Sequence, residues 1–180
     1  MGKGLAFTGH RPEALPFGND EQSPACVRLK AMLLAEIMDS VANGCDTYLA
    51  GGARGGDIIF AEQVLIAKAT KYPNIRLISV VPHEGQANSW TEAWRDRYFR
   101  TLELSDDVIT LSDRYTRDCY HVRNRYLVDH ADKLLALYSG GATGGTAYTV
   151  KYAQQKSKEI IVINPSTLER TVIPPRLEII

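Results

Sequence analysis

The chain is most informative first for what it lacks. No apolar run approaches the roughly 20 residues that span a bilayer, so no membrane segment is expected. The N-terminus, Met1-Gly2-Lys3-Gly4, runs at once into a strand-like segment, which is not how a secretory signal begins. Cysteine is scarce: Cys26, Cys45 and Cys119 are far apart, odd in number and without a CxxC pair. That pattern excludes a disulfide framework and suits a reducing cytoplasm. Charge of either sign is not in excess. Lys plus Arg and Asp plus Glu both total 21, so the formal net charge is zero and nothing pulls the whole chain toward nucleic acid or anionic lipid. The four histidines are scattered without ligand spacing, so no metal site is expected. The chain carries neither the phosphate-loop signature G-x-x-x-x-G-K-[ST] nor a G-x-G-x-x-G after its first strand. Those absences argue against a Walker-type nucleotidase and a standard NAD dehydrogenase.

What is present is a regular alternation. Strand-like runs fall at Gly4–Thr8, Thr47–Ala50, Ile75–Val81, Asp107–Leu111, Lys133–Tyr138 and Glu159–Asn164. Helical periodicity lies between them, at Ala25–Val41, about Asp57–Lys71, Ser89–Leu104, Cys119–Ala131 and Gly144–Lys156. Strand, helix, strand, repeated, predicts an α/β protein: a Rossmann-like three-layer α/β/α sandwich on a mostly parallel sheet of about six strands. The strands are nearly continuous apolar runs, as expected when both faces are covered. No linker divides the chain, so residues 1–180 read as one domain, with a core at about 5–163 and a short tail at 165–180 that holds room for one more strand.

In such folds ligands sit at the carboxyl ends of the strands. Those ends carry Thr8-Gly9-His10-Arg11-Pro12, Gly51-Gly52-Ala53-Arg54-Gly55-Gly56-Asp57, Pro82-His83-Glu84-Gly85-Gln86, the loop from Ser112 to Asp118, and Ser139-Gly-Gly-Ala-Thr-Gly144-Gly145-Thr146. Two glycine-rich turns that each open a helix point to a phosphate-bearing ligand, because backbone N–H groups at a helix start can approach an anion closely. Tight turns with ordinary caps are the plainer reading of either one alone. Arg54 is the expected phosphate cation. Asp57 suits either the helix cap or ligand hydroxyls, since it would repel a phosphate at the same helix end. Helical phase sets Arg123 and Asn124 on the inner face of their helix, where a structural Arg–carboxylate pair and a ligand contact are equal readings. Thr146 reads as a cap or a ligand contact.

These loops in this order resemble the YpsA-like branch of the SLOG superfamily, over roughly Leu5 to Ile163. The matching stretches are Thr8–Pro12, Gly51–Asp57, Cys119–Asp132 and Gly144–Ala153. The resemblance implies a Rossmann-like fold and a nucleotide or nucleotide-derived ligand, ADP-ribose-like or NAD-related, in a bacterial protein tied to stress or cell division. The expected contacts are Thr8, Gly9, His10, Arg11, Gly51, Gly52, Arg54, Gly55, Asp57, Arg123, Asn124, Gly144, Gly145 and Thr146. The superfamily includes LOG phosphoribohydrolases, which use a glutamate three residues past a Gly-Thr pair. Here that position is Thr149, which argues for a binding or sensor protein over an enzyme.

An N-glycosidase remains the alternative. Asp57 and Glu84 are its candidate acids, with Glu62, His10 and His83 behind them. A third reading is single-stranded DNA binding, by analogy with DprA, a further member of the superfamily. It draws on the stripe Trp90, Trp94, Tyr98 and on Arg95, Arg97 and Arg100, which core or interface packing explains more simply. The expected partners are a small nucleotide-like ligand and a second copy of the chain, with no certain cofactor.

Overall fold

The structure, a computed structural model, describes residues 3–176. Residues 1–2 and 177–180, the last of the expected tail, lie outside the described residues. The first strand, β1 (Lys3–Gly9), leads through a short 3-10 turn at Pro12–Ala14 to α1 (Pro24–Ala42). The Ser23 side chain caps α1 by accepting from the Cys26 N–H at 3.3 Å. Then follow β2 (Cys45–Ala50), α2 (Gly56–Thr70), β3 (Arg76–Val81), α3 (Glu92–Leu104) and β4 (Asp107–Thr110). The second half runs α4 (Cys119–Asp129), β5 (Lys133–Leu137), α5 (Gly145–Gln155), β6 (Glu159–Ile163) and β7 (Arg170–Ile173).

The seven strands form one sheet in the order β4-β3-β2-β1-β5-β6-β7. All pairings are parallel except β6 with β7, which is antiparallel. The seventh strand comes from the tail, where Asn164 accepts from Leu168 N at 2.8 Å and turns the chain back. Helix α3 starts later than its periodicity predicts. Thr91 keeps an extended backbone as the N-cap, so Ser89 and Trp90 belong to the preceding turn.

The period of two along each strand divides the core. Leu5 and Phe7 of β1 face α1 and α2, where Phe7 stacks on Phe60 with ring centroids 4.4 Å apart. Ala6 between them faces α4 and α5, with Leu127, Leu134 and Val150. This is the three-layer α/β/α sandwich. The order of strands then locates a crevice. From β1 the chain steps to β2, β3 and β4 in one direction, then returns to place β5 on the other side of β1. Loops leaving β1 and β5 diverge there, and no crossover helix closes the gap between them.

Candidate functional site

A cavity of about 400 Å³ occupies this crevice. It is lined from β1 by Thr8, Gly9, His10 and Arg11, from the start of α2 by Asp57, from α4 by Arg123 and Asn124, and from the start of α5 by Gly144, Gly145 and Thr146. The structure thus brings these expected residues together around one space. It adds Ala14, Ala53, Tyr120, His121, Leu127 and Thr143. The helical stepping that singles out Asn124 reaches Tyr120 and His121 one turn earlier, so these two were within reach of the sequence. Ala14 carries no such signal.

Four expected residues, Gly51, Gly52, Arg54 and Gly55, are not in that lining, and neither is Glu84. The reason lies in two nearly identical strings. Gly51-Gly-Ala-Arg-Gly-Gly56 follows β2, and Gly140-Gly-Ala-Thr-Gly-Gly145 follows β5. The first is buried apart from the half-buried Arg54, and the chain itself fills the space its glycines leave. A Cβ on Gly51 would lie 1.9 Å from Arg123 Nη1. Gly55 has φ +86°, a conformation that favours glycine, and a Cβ there would meet His10 O at 2.8 Å and Pro12 Cδ at 2.9 Å. The N–H of Gly56, a free donor at a helix start, is already taken by His10 O at 3.0 Å. The close approach behind the first glycine loop is therefore protein on protein. Arg54 departs from its expected role for a related reason: its guanidinium reaches out to Glu13, 2.9 Å away.

The second string is the opposite. Gly140, Gly141, Gly144 and Gly145 are all exposed. Among the described residues, a Cβ on Gly144 would meet nothing within 4 Å, and one on Gly145 would meet only Asn124 Nδ2 at 3.7 Å. Helix α5 thus begins with its first N–H groups unobstructed at the cavity wall, where the positive end of the helix dipole favours an anion.

Charge in the cavity comes from Arg11, Arg123 and Asp57. Asp57 is 4% exposed and Arg123 6%. Arg123 Nη1 lies 3.7 Å from Asp57 Oδ2 and also donates to Gly51 O, while Nε donates to Asn124 Oδ1 at 2.7 Å. The structural Arg–carboxylate pair is therefore present, and it lines the cavity as well. Arg123 Nη2 has no hydrogen-bond acceptor among the described residues. Asp57 accepts from Ala53 N–H at 3.3 Å. Burial raises the Asp57 carboxyl above its ordinary value, and the neighbouring Arg123 opposes that rise. Burial likewise lowers the Arg123 guanidinium, opposed by Asp57. Arg11 is exposed and lies 5.5 Å from the Tyr120 ring centroid.

His10 is fixed by Ser139, whose N–H donates to Nε2 at 3.2 Å and whose hydroxyl lies 3.1 Å from the same nitrogen. An accepting Nε2 is an unprotonated one, and burial lowers the His10 pKa from 6.5, so both point to a neutral ring at pH 7. Thr149 is fully buried and donates to Gly145 O at 2.7 Å. Glu62 is paired with Arg97 at 2.8 Å. Glu84 is exposed at the end of β3, beyond this cavity.

The aromatic stripe resolves as packing. Trp94 and Tyr98 are buried against Ile58 and Val81, with Trp90 partly buried beside them. Arg97 lies over Trp94, 4.5 Å from the ring centroid, and bridges Glu21 and Glu62. Among the described residues no group of three or more His, Cys, Asp or Glu could hold a metal ion, and no helix is long and apolar enough to cross a membrane. All three cysteines are buried and free.

Comparison with known proteins agrees with this architecture. The model of the YspA SLOG family matches residues 5–168. A UPF0398 protein of Shouchella clausii is 31% identical over 171 residues, covering 93% of this chain and 90% of its own. One from Bacillus cereus strain B4264 is 26% identical over 159 residues, covering 87% and 85%. A solved structure of DNA processing protein A from Helicobacter pylori, described for its single-stranded DNA binding mode, superposes with a TM-score of 0.60 at 16% identity. The match covers 90% of this chain and 65% of that one, and shows a shared fold. Matched by the family model over residues 5–168, the chain belongs to the YspA SLOG family.

Proposed function

We propose that this protein binds a nucleotide or nucleotide-derived ligand, of the ADP-ribose kind, in the crevice between β1 and β5, and acts as a sensor rather than a catalyst. The observation that carries this is the contrast between the two glycine loops. The loop after β2 is filled by the chain, whereas the loop after β5 leaves the start of α5 bare beside a 400 Å³ cavity. Two guanidinium groups, Arg11 and Arg123, line the same cavity. The phosphate belongs at Gly144–Thr146 and is neutralised from the side by these cations. Asp57, held in place by Arg123 and Ala53, takes ribose hydroxyls. Thr149 in place of an acid favours binding without cleavage of the glycosidic bond.

The test is a thermal-shift screen of ADP-ribose, NAD and AMP, with chromatography of each mixture. Stabilisation without released base supports the sensor. Release of base supports the N-glycosidase, and no shift with any nucleotide overturns both.

Single-stranded DNA is the competing ligand, because a protein of the same fold binds it. The burial of Trp94 and Tyr98 and the pairing of Arg97 leave two of the stripe's three rings without a free stacking face. Anisotropy of a labelled oligo(dT) should show no saturable binding at low salt. A tight, steeply salt-dependent isotherm would restore the DNA reading.

A further inference from the structure

A second opening of about 570 Å³ lies at the ends of β3 and β4, on the same edge of the sheet. Its walls carry His83, Glu84, Asn88, Asp113, Arg114 and Tyr115, none of which lines the first cavity. Tyr120 stands between the two. It lines the first cavity beneath Arg11, and its ring centroid is 6.0 Å from that of His83.

Two features of this opening ask for a ligand. His83 is 6% exposed, and its Nε2 is buried without a hydrogen-bond partner among the described residues. A buried polar atom left unpaired is costly and calls for an explanation. Beside it Tyr115 is 61% exposed, a large aromatic face that the chain leaves bare. The Tyr115 ring meets that of His83 edge-on at 5.7 Å, so the exposed aromatic face and the buried imidazole are neighbours in this opening.

The two openings also differ in sign. The first offers Arg11, Arg123 and the bare start of α5, with Asp57 alone opposing. The second offers the carboxylates of Glu84 and Asp113 with Arg114 as its one cation. A phosphate belongs in the first and is disfavoured in the second. An amine belongs in the second, where carboxylates accept its hydrogens.

We propose that the opening between β3 and β4 receives the base of the bound nucleotide, stacked on Tyr115 and hydrogen-bonded through His83, and that Glu84 and Asp113 select a base with an exocyclic amine. The assignment rests on nucleotide binding in the first cavity and gives that ligand its direction: phosphate at α5, base beyond Tyr120.

Calorimetry with the full chain, using ADP-ribose and ribose 5-phosphate, tests it. Tyr115→Ala should weaken ADP-ribose about tenfold or more, the scale of one lost base–aromatic stack, and leave ribose 5-phosphate unchanged. Tyr115 is exposed, so this variant is expected to fold. Photolabelling with 8-azidoadenosine 5′-monophosphate gives the position directly, with label expected on peptides spanning residues 83–88 or 112–120. AMP should bind more tightly than IMP, in which an oxo group replaces the amine, and Glu84→Gln with Asp113→Asn should remove that preference. Unchanged ADP-ribose affinity in Tyr115→Ala, equal weakening of both ligands, or label confined to residues 8–14 and 138–146 overturns the base site while nucleotide binding stands. Equal binding of AMP and IMP to the unaltered protein overturns the amine selection. If neither ADP-ribose nor AMP binds the unaltered protein, the base site and the nucleotide reading fall together.

Discussion

Gly145→Asp separates binding from folding more sharply than any other single change. Residue 145 is the first of α5, its φ lies outside the left-handed region, and a Cβ there meets only Asn124 Nδ2 at an ordinary 3.7 Å. The substitution therefore brings no clash and no backbone strain. An acid in the first turn interacts favourably with the helix dipole, worth about 0.3–1 kcal/mol. Loss of glycine's freedom in the unfolded chain adds about 0.4–1 kcal/mol. In a chain of 180 residues, a gain near 1 kcal/mol raises Tm by roughly 2–4 °C. The effect on a phosphate is opposite. A carboxylate about 5 Å from one phosphate charge repels it by about 3 kcal/mol at an effective dielectric near 20, and by under about 1 kcal/mol in bulk water. ADP-ribose affinity should fall about tenfold to a hundredfold while Tm in the absence of ligand holds or rises. Calorimetry and a melt of the same sample measure both. An unchanged Kd refutes the phosphate position, and a fall in the ligand-free Tm refutes the packing argument.

The loop after β2 should respond in the reverse sense. Gly51→Ala places a methyl group 1.9 Å from Arg123 Nη1 and drives the guanidinium off Gly51 O, so stability should drop by about 2–4 kcal/mol; an unmoved urea midpoint refutes this. Arg123→Met leaves Asp57 buried without its cation, at a cost of about 3–5 kcal/mol at neutral pH. Because burial raises the Asp57 pKa above 3.8, the favourable contribution of its protonated form is full below that value and is lost as pH rises through the folded-state pKa. Without Arg123 the carboxyl is raised further, so the deficit of the variant should shrink on acidification; a deficit independent of pH in denaturation curves counts against the pair. His10 runs the other way. Its pKa is lowered from 6.5, so the stability its neutral ring provides is present above 6.5 and is lost as pH falls through the lowered value. An NMR titration of His10 should give a midpoint below 6.5, and one at or above it refutes the neutral acceptor at Ser139.

The order of elements was legible in the sequence because each element carries its own period. Leu5, Ala6 and Phe7 alternate between the two faces of β1, and Leu29, Leu33 and Ile37 recur along the buried side of α1. Turn chemistry is equally local, as in the glycine at the head of α5. Part of the candidate site follows from the same local logic, since the phase of Leu127, Val128 and Ala131 places Arg123 and Asn124 inward. What the sequence could not decide is which glycine loop stays open. Gly51–Gly56 and Gly140–Gly145 differ in one residue, Arg54 against Thr143, yet one is buried and the other bare. The difference is made by partners far along the chain. Arg123 lies 72 positions from the Gly51 carbonyl it holds, and Arg54 turns to Glu13, 41 positions away. Close approach between backbone and side chain depends on the strand order that brings β1 between β2 and β5, and strand order is a property of the whole sheet. The sequence thus determined the fold class and the edge of the sheet to search. Only the tertiary structure decided which of two equivalent turns the protein fills with itself and which it leaves for a ligand.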